Sequence, residues 1–508
     1  MTLANLVKRL EDIMRSDTGI DGTAQRLSQI VWLLFLKAFD YTEKNAELEE
    51  DDYKSVIPVG YRWRDWATAE DEDERPNPKN QRTGDALIAF VNTELLPVLR
   101  GETIKVGGED VTLFSSEDAR ALLVKDFMRR TNNYSQNGIQ LRLMVNLFDE
   151  VDFDEVEDTH EFNDVYEEML KSLQSAGRAG EFYTPRALTS FGIRHIDPRI
   201  GDQVADFSCG TGGFLVDAYR YLRDQIRPGD IEAYETVNTS LHGQEWKPLP
   251  YMLCVTNLML KGIPLPDVQY GDSLARRLSD YGRADQVQRI AMNPPYGGVA
   301  LDVDKQAFPA DVRSSETFDL FMSLIIKRLA DGGKAVVILP DGFMFGDGVK
   351  ATIKKNLMTQ CNLHTVIRLP QSCFAPYTSI TTNMLFFDKG QPTHETWFYR
   401  MDMPDGYKHF SKTKPVLPRH MEAIDEWWDN RTEIVDDEGW QKAKCYTFEE
   451  IEANNFNLDL CGYPTKTVEV LSPEDTIRNY QERREHIDNE IDAVLSEIRA
   501  ALGMGDES

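Results

Sequence analysis

The amino-acid sequence predicts an α/β protein in which a mostly parallel sheet lies between a helical N-terminal region and a C-terminal region that ends in a helix. At 508 residues the chain exceeds the usual size of one domain. Between residues 171 and 410, short apolar segments alternate with helical segments, which is typical of parallel strands with helices on both faces. Residues 1–170 and 411–508 lack this alternation, so we predict three regions with these boundaries.

The N-terminal region, residues 1–170, is predicted to form a helical domain. Apolar residues recur at helical spacing in Leu3–Met14, and Leu27–Phe39 is predicted to be a buried helix. The acidic stretch Glu70–Asn80 is predicted to be an exposed loop, and Asp149–Glu157 to lead into a linker. No pattern typical of a catalytic site occurs here, which favours a packing role.

The middle region, residues 171–410, carries the predicted sheet. Its predicted strands are Gln203–Phe207, Ser240–Gln244, Val268–Tyr270, Arg289–Met292, Lys334–Leu339, Thr365–Leu369 and Thr382–Phe387. The predicted helices between them are Gly213–Ile226, Leu249–Lys261, Phe318–Leu329 and Ala351–Thr359. In such sheets ligands bind beyond the carboxyl ends of the strands, near the point where the strand order reverses. We therefore expect a binding site at that edge.

The C-terminal region, residues 411–508, is polar at first and ends in a predicted helix. Steps of three and four residues, interrupted only by Arg484, separate the apolar residues Ile477, Tyr480, Ile487, Ile491, Val494, Ile498 and Ala501. With charged residues on either side, this spacing is typical of a heptad seam. The seam either packs back onto its own chain or binds a helix of a partner.

Composition and charge restrict the class of protein. Lys and Arg total 56 against 85 Asp and Glu, which gives a net charge of −29. A protein that binds DNA alone usually has a basic surface. Either basic residues are concentrated on one face, or another subunit supplies most of any DNA contact, which we favour. The 6 cysteines form no CxxC pair, which argues against a metal site and disulfides and indicates a cytoplasmic protein.

The first motif that can bind a ligand is Asp206–Leu215, which follows a predicted strand and opens a helix. Its candidate ligand-binding residues are Asp206, Gly210, Thr211, Gly212 and Gly213. Glycines let the backbone approach a ligand closely, and amides at a helix start can meet a carboxylate. The GxGxxG spacing expected of a dinucleotide site is absent. The motif therefore fits either a different cofactor or simply a tight turn.

Acidic residues also end the next two predicted strands. Glu245, followed by Trp246, can accept hydrogen bonds from both ribose hydroxyls of a nucleoside cofactor. Asp272, followed by Ser273, can accept from an adenine amino group. Singly, each acid is more often a solvated loop residue or a helix cap. Acids at three successive strand ends are a rarer coincidence, and they predict a nucleoside site.

The fourth predicted strand leads into Asn293-Pro294-Pro295-Tyr296. Pro294 has no backbone donor but keeps its carbonyl, so that oxygen and the Asn293 side-chain oxygen can both accept from one amino group. Two such acceptors favour a pyramidal nitrogen whose lone pair points at a methyl donor. Tyr296 offers a flat face on which a base can stack. The alternative is a Pro-Pro turn that merely ends the strand.

Together these motifs resemble the amino-methyltransferase family, and the chain resembles the modification (HsdM) subunits of type I restriction-modification systems. The resemblance extends over nearly the whole chain and is also carried by Leu33–Lys37, Gly180–Arg186, Gly333–Gly342 and Ile367–Tyr377. Phe207 departs from the family pattern, in which proline is usual, and Cys209 is less typical. These departures concern only the local shape of the turn.

The resemblance implies a Rossmann-like, S-adenosylmethionine-dependent methyltransferase domain. It places this cofactor against Gly210–Gly213 and against Glu181, Phe182, Tyr183, Thr184, Pro185 and Arg186. Asp206 would shape the turn beneath the methionine part, while Glu245 would hold the ribose and Asp272 the adenine, beside Trp246 and Ser273. The catalytic residues would be Asn293, Pro294, Pro295 and Tyr296.

The implied reaction is methyl transfer to N6 of an adenine that has left the duplex. Methylation at cytosine C5 needs a Pro-Cys pair, which the sequence lacks. Cytosine N4 is harder to exclude as the acceptor, although its enzymes more often have serine in place of Asn293. Two alternatives stay open: methylation of release-factor glutamine or ribosomal guanine, and a catalytically silent assembly subunit. The Tyr183-Thr184-Pro185 element and the long N-terminal region argue against the first, and the intact Asn293–Tyr296 motif against the second.

Sequence recognition is predicted to reside in another chain. The C-terminal region offers no base-reading module, so we expect a separate specificity subunit, bound in part by residues 473–502. The resemblance implies double-stranded DNA as the substrate, two copies of this chain per specificity subunit, and association with a restriction subunit. No apolar run is long enough to imply a membrane partner, since the longest is Ile30–Leu36.

Overall fold

The computed structural model describes residues 3–68, 82–106, 108–150 and 183–464, together with scattered residues between 477 and 494. The chain divides into two units, Met1–Gly462 and Tyr463–Ser508. In these described ranges, no helix has the length and apolar character needed to cross a membrane.

The N-terminal region is built mainly from helices. They are α1 (Leu3–Arg15), α2 (Gly22–Glu49), α3 (Trp63–Trp66), α4 (Gly84–Phe90), α5 (Leu96–Leu99), α6 (Ala119–Met128) and α7 (Gly138–Asp149). The predicted buried helix Leu27–Phe39 lies inside α2, where Trp32, Leu33 and Phe35 are fully buried. An antiparallel hairpin, β1 (Ile104–Val106) with β2 (Glu109–Val111), is an addition to the predicted elements.

A ten-stranded sheet forms the centre of the first unit. Its strands are β3 (Val204–Asp206), β4 (Leu241–Glu245), β5 (Asp267–Tyr270), β6 (Val287–Met292), β7 (Leu329–Pro340), β8 (Cys361–Leu369), β9 (Thr382–Lys389), β10 (Glu395–Arg400), β11 (Ile434–Val435) and β12 (Gln441–Thr447). Their order is β11-β12-β10-β8-β9-β7-β6-β3-β4-β5. All seven predicted strands are present.

Strand direction divides the sheet into two parts. Strands β5, β4, β3, β6 and β7 are mutually parallel. Strand β9 runs antiparallel to both β7 and β8, so β8 and its parallel neighbour β10 point the same way as β7. Strands β11 and β12 add an antiparallel edge, and with β10 they are not among the predicted strands.

Helices cover both faces of this sheet. They are α8 (Arg186–Ile196), α9 (Gly213–Arg223), α10 (Ile231–Asn238), α11 (Pro248–Leu260), α12 (Asp302–Gln306), α13 (Thr317–Arg328), α14 (Asp341–Met344), α15 (Val349–Gln360), α16 (Glu422–Asp429) and α17 (Phe448–Ala453). Along β7, Val336 and Ile338 belong to one core cluster, whereas Val337 and Leu339 belong to the other. Successive strand residues point to opposite faces, so a strand buried on both faces is apolar throughout.

The N-terminal region packs against the β5 end of the sheet. Helix α2 contacts α11, and the guanidinium of Arg130 stacks over the ring of Tyr270 at 3.7 Å. Trp32 of α2 and Leu253 of α11 lie in the same continuous core cluster. The helical region is therefore attached to the sheet through shared core packing.

In the second unit, the described part of the predicted heptad seam is helical. Ile477, Tyr480, Ile487, Ile491 and Val494 all have helical backbone and exposed side chains. Ile498 and Ala501 of the predicted seam lie outside the described residues. The helical spacing of the seam is thus confirmed for its described positions.

Candidate functional site

A cavity of about 320 Å³ opens at the carboxyl edge of the parallel strands. It lies where strand order reverses, because the chain adds β4 and β5 on one side of β3 and β6 and β7 on the other. This is the position at which open α/β sheets bind ligands. Ten of the predicted site residues line the cavity: Thr184, Asp206, Gly210, Gly213, Glu245, Trp246, Asp272, Ser273, Asn293 and Pro295.

The glycine-rich turn forms the floor of the cavity. Asp206 is the last residue of β3, and its Oδ1 accepts a hydrogen bond from the amide of Ser208 at 3.0 Å. Gly212 has a φ of +82°, and a Cβ at this position would stand 2.8 Å from Sγ of Cys254 on α11. Only glycine therefore satisfies both the backbone conformation and the close approach.

Burial changes the protonation of Asp206. The side chain is 2% exposed, and loss of solvation raises the pKa of its carboxyl to about 8, with the nearby charge of Glu245 acting in the same direction. The amide of Ser208 opposes this shift. Asp206 is therefore largely protonated at neutral pH unless a positive charge arrives in the cavity.

Glu245 joins the turn to the next strand. It ends β4, is 5% exposed, and accepts from the amide of Gly210 through Oε2 at 3.0 Å and from that of Lys247 through Oε1 at 2.8 Å. Because a carboxylate has about four acceptor positions, each oxygen can still accept from a ligand hydroxyl. Burial raises the pKa of Glu245 against the effect of these amides.

The next strand end contributes an acid and a supporting hydroxyl. Asp272 accepts from the amide of Leu274 through Oδ1 at 2.8 Å. Ser273 donates its hydroxyl to the carbonyl of Phe207 at 2.6 Å, so it holds the turn after β3 as well as lining the cavity. Trp246 is 50% exposed and offers a flat ring at the cavity wall.

The motif Asn293–Tyr296 follows β6 directly and meets the same cavity. Asn293 donates from Nδ2 to the hydroxyl of Thr184 at 3.0 Å, and the hydroxyl of Tyr296 donates to Oδ1 of Asn293. The ring of Tyr296 stands perpendicular to that of Phe374, with centroids 6.0 Å apart. Thus the oxygen predicted to accept from a target amino group is held by Tyr296 in this structure.

Several predicted residues lie behind the cavity wall. Tyr183, Thr211 and Pro294 are buried, Pro185 caps α8, and Arg186 begins that helix. The carbonyl of Thr211 accepts from Nδ2 of Asn257 at 3.0 Å. Glu181 and Phe182 lie outside the described residues. The predicted set therefore contains cavity-lining residues and residues that support them.

The cavity also has walls that the motifs did not indicate. Leu301 and Asp304, from the segment after the Asn293 motif, line it together with Phe321 of α13 and Tyr377. Asp304 is 5% exposed, and its pKa is raised by burial and by the charge of Asp272. The only sequence signal was position, because Asp304 follows the motif closely and Tyr377 ends a stretch that carried the family resemblance.

The segment after the motif is fixed to the start of α13. The hydroxyl of Thr317 donates to the carbonyl of Pro295 at 3.1 Å, and Val299 pairs with Glu316 in an antiparallel bridge. Asp319, fully buried in the first turn of α13, binds Lys350 at 3.0 Å. These contacts hold residues 297–301 against the cavity mouth.

Comparison with known proteins identifies relatives of the whole chain. The family model for N-6 DNA methylases matches residues 157–470. The chain is 42% identical over 506 residues to the type I restriction enzyme EcoEI methylase subunit of Escherichia coli, covering 99% of this chain and 98% of the relative. It is 27% identical over 422 residues to the EcoKI methylase subunit of Escherichia coli K12, covering 78% and 71% of the two chains.

Solved structures give the same result. A modification subunit of a putative type I restriction enzyme from Vibrio vulnificus YJ016 superposes with a TM-score of 0.75 at 34% identity, over 93% of this chain and 98% of that one. A chain from a study of complex assembly and conformational transition in a type I R-M system superposes with a TM-score of 0.77 at 30% identity, over 100% and 99%.

Proposed function

The chain belongs to the N-6 DNA methylase family, among the type I restriction enzyme methylase subunits, and from this premise we propose that it methylates N6 of adenine in double-stranded DNA as a modification subunit. The observation that carries the proposal is that one cavity joins the strand-end acids Glu245 and Asp272 to Asn293. A nucleoside cofactor and a target amino group would therefore meet in the same enclosed space.

The residues present fit S-adenosylmethionine as the methyl donor. When bound, this cofactor supplies an electrophilic methyl group on a positively charged sulfur. Glu245 would accept from its ribose hydroxyls and Asp272 from its adenine amino group, since both carboxylates keep free acceptor positions in the cavity. Asp206 would shape the turn beneath the methionine part, and its buried carboxyl would ionise when the positively charged sulfur enters the cavity.

Asn293 and Pro294 would hold the target amino group. Adenine must leave the duplex to reach them, at a cost of a few kcal/mol. Its amino group would replace the Tyr296 hydroxyl at Oδ1 of Asn293, freeing the Tyr296 ring to stack on the base. The bond from Nδ2 of Asn293 to Thr184 keeps the amide oriented while this exchange occurs. Positioning the amino nitrogen in line with the methyl group would then provide most of the rate enhancement.

Substitution of Asn293 tests this assignment. In Asn293→Ala, we expect methylation of duplex DNA to fall by about 100-fold or more, because the substitution removes a preorganised polar group that holds the reacting nitrogen. Binding of S-adenosylmethionine, measured by calorimetry, should stay close to that of the wild type. Asn132→Ala, at an exposed site in the N-terminal region, is the matched control. Normal methylation by Asn293→Ala would contradict the proposed role.

The acceptor and the subunit arrangement can be tested together in cells. Modified bases are mapped in the host genome by single-molecule sequencing, with and without the gene. Loss of N6-methyladenine at a two-part motif with a gapped centre supports the full proposal. Loss at a continuous motif keeps the chemistry but rejects recognition by a separate specificity subunit. Unchanged DNA methylation favours an RNA or protein substrate or a silent locus, and Asn293→Ala is then the next test.

Assembly with other subunits forms part of the same proposal. The exposed apolar positions at Ile477, Ile487 and Ile491 support a helical contact with a specificity subunit. Two copies of this chain per specificity subunit, association with a restriction subunit, and a cytoplasmic location complete the proposed assembly. Residues 1–170, 171–410 and 411–508 would serve as helical, catalytic and assembly regions.

A further inference from the structure

One short segment of this acidic chain is distinctly basic. Residues 406–421 contain four cationic residues and no carboxylate, although the chain as a whole has a net charge of −29. The basic segment, as we name residues 406–421, carries Lys408, Lys412, Lys414 and Arg419, all of which are exposed. Acidic residues border the segment at Asp405 and Glu422, so the local excess of positive charge is confined to residues 406–421.

Strand direction places the basic segment at the edge of the sheet that holds the cavity. It follows β10, which ends at Arg400 and runs parallel to β8. Strands β8 and β7 are both antiparallel to β9, and β7 is parallel to β6. The carboxyl ends of β10 and β8 thus lie at the same edge as that of β6, which carries Asn293.

Direct contacts connect the basic segment to the cavity wall. The amide of Phe410, whose side chain is fully buried, donates to the hydroxyl of Ser372 at 2.9 Å. Ser372 belongs to the loop after β8, in which Phe374 packs against the ring of Tyr296 and Tyr377 lines the cavity. One loop therefore separates the basic segment from the residues that would hold the target base.

The basic segment also has a defined conformation. Ser411 and Lys414 exchange two backbone hydrogen bonds, of 3.0 and 3.1 Å, and Nζ of Lys414 lies 5.3 Å from the centre of the Tyr407 ring. The buried Phe410 and Val416 anchor the segment at both ends of this turn. The backbone that carries these cations is thus fixed next to the loop that lines the cavity.

We propose that the basic segment binds the phosphate backbone of the DNA whose base enters the cavity. This inference rests on the proposed function. Phosphates supply most of the sequence-independent affinity for DNA, and contacts to them position the protein without reading sequence. The segment would hold the duplex while another subunit reads the bases. Lys408, Lys412, Lys414 and Arg419 are accordingly positioning residues for the substrate.

The test uses the full chain and a 30-base-pair DNA duplex labelled with a fluorophore, followed by anisotropy at several salt concentrations. The variant replaces Lys408, Lys412, Lys414 and Arg419 with Gln. The matched control replaces four exposed lysines of the N-terminal region with Gln: Lys8, Lys44, Lys54 and Lys105. Both variants lose four positive charges, so any effect of net charge alone is the same in each.

We expect the basic-segment variant to bind the duplex at least about tenfold more weakly than the wild type. The slope of log affinity against log salt concentration should also become less steep, by about 0.9 for each phosphate that the variant no longer neutralises. The control should bind like the wild type. Equal weakening in both variants, unchanged affinity in the basic-segment variant, tighter binding of an RNA duplex, or no binding by the wild-type chain at low salt would each overturn the proposal.

Binding of S-adenosylmethionine by calorimetry separates this inference from the proposed function. We expect both four-residue variants to bind it like the wild type, because none of the replaced residues lines the cavity. A wild-type chain that binds the duplex through the basic segment but does not bind S-adenosylmethionine would reject the proposed function alone. A chain that binds the cofactor, with DNA affinity unaffected by the substitutions, would reject the basic segment alone.

Discussion

Burial strongly changes the behaviour of the Asp206 carboxyl, whose pKa is raised to about 8. It lies where the turn after β3 closes over the strand end, and within the described part of the chain its Oδ1 accepts from the amide of Ser208. Removing a carboxylate from water without a countercharge favours the neutral form. A protonated acid in the cavity can therefore become ionised when a cation binds, which couples ligand binding to proton release.

This coupling predicts that affinity for S-adenosylmethionine depends on pH. Asp206 has a pKa of about 8, so we expect affinity to rise with pH up to about 8 and then level off, by at most about tenfold per unit. Calorimetry measures both affinity and proton release. S-adenosylhomocysteine, which lacks the sulfonium charge, should show a weaker dependence. Equal pH profiles for the two ligands would contradict the coupling.

The same group affects stability in the opposite sense. The pKa of Asp206 rises from 3.8 to about 8 on folding. Its contribution to the free energy of unfolding is therefore fully present below pH 3.8 and is lost as pH rises through about 8. Asn does not ionise, so we expect Asp206→Asn to remove this pH dependence. The unfolding temperature of the variant should therefore change less between pH 6 and 8 than that of the wild type. If the variant and the wild type show the same pH dependence, folding does not raise the pKa of Asp206.

Asp304 is a second residue whose carboxyl is constrained by its surroundings. It faces the cavity near Asp272, at the part of the site assigned to the adenine amino group. We expect Asp304→Asn to weaken S-adenosylmethionine binding by about tenfold, the scale of one hydrogen bond to a charged group. Binding of an analogue with oxygen in place of the amino group should not change.

Asp302 offers a matched control for Asp304. It lies on the same short helix, α12, and its side chain is 91% exposed. Asp302→Asn changes the charge equally and should leave affinity for both ligands unaltered. If Asp304→Asn weakens the two ligands equally, the side chain shapes the cavity without contacting the amino group.

Among the elements, the turn between β3 and α9 is closely restricted by packing. Gly212 combines a φ of +82° with the close approach of Cys254. We expect Gly212→Ala to lower the free energy of unfolding by about 1–3 kcal/mol and to weaken cofactor binding. Denaturant unfolding and calorimetry measure the two effects.

Gly229 separates the effect of backbone conformation from that of steric contact. Its φ is +86°, and no atom lies within 4 Å of a Cβ at this position. Gly229→Ala should therefore cost about 1 kcal/mol from backbone strain alone, with cofactor affinity unchanged. Equal losses in the two variants would show that Cys254 moves away without cost.

Element boundaries illustrate what local patterns describe well. Apolar runs located all seven predicted strands, because strands buried on both faces must be apolar along their length. The apolar runs gave lengths that were too short for β7 and β8, because the first residues of these strands are more polar. Strand β12 was not predicted, because its half-buried, mixed sequence Gln441–Thr447 lacks a strong period.

At the scale of the whole molecule, the exposed seam of the second unit concerns assembly. Ile487 and Ile491 are 53% and 51% exposed, so replacing both with Asp should leave the unfolding temperature of the chain unchanged. Co-purification with the specificity subunit should be abolished, because burial of their apolar area would no longer stabilise the complex. Asn489→Asp, on the same helix, is the control. Retained co-purification of the double variant would reject the seam as the contact.

The sequence alone determined the fold class and the chemical type of the site. Strand and helix periods are local properties, and the residue types at three strand ends and in Asn293–Tyr296 predicted a nucleoside site beside an amino-group site. The family resemblance then indicated the reaction, and the comparisons support it at the level of the family.

Tertiary structure alone decided which of these residues share one cavity and which support it from behind. Packing brings distant positions together in three places. Tyr296 binds Asn293, Asp304 lines the cavity, and the basic segment is attached to Ser372. Burial and contact depend on the path of the whole chain, so no local pattern predicts them. The run of cations in residues 406–421 can be read from the sequence, but only the fold attaches this segment to the loop that lines the cavity.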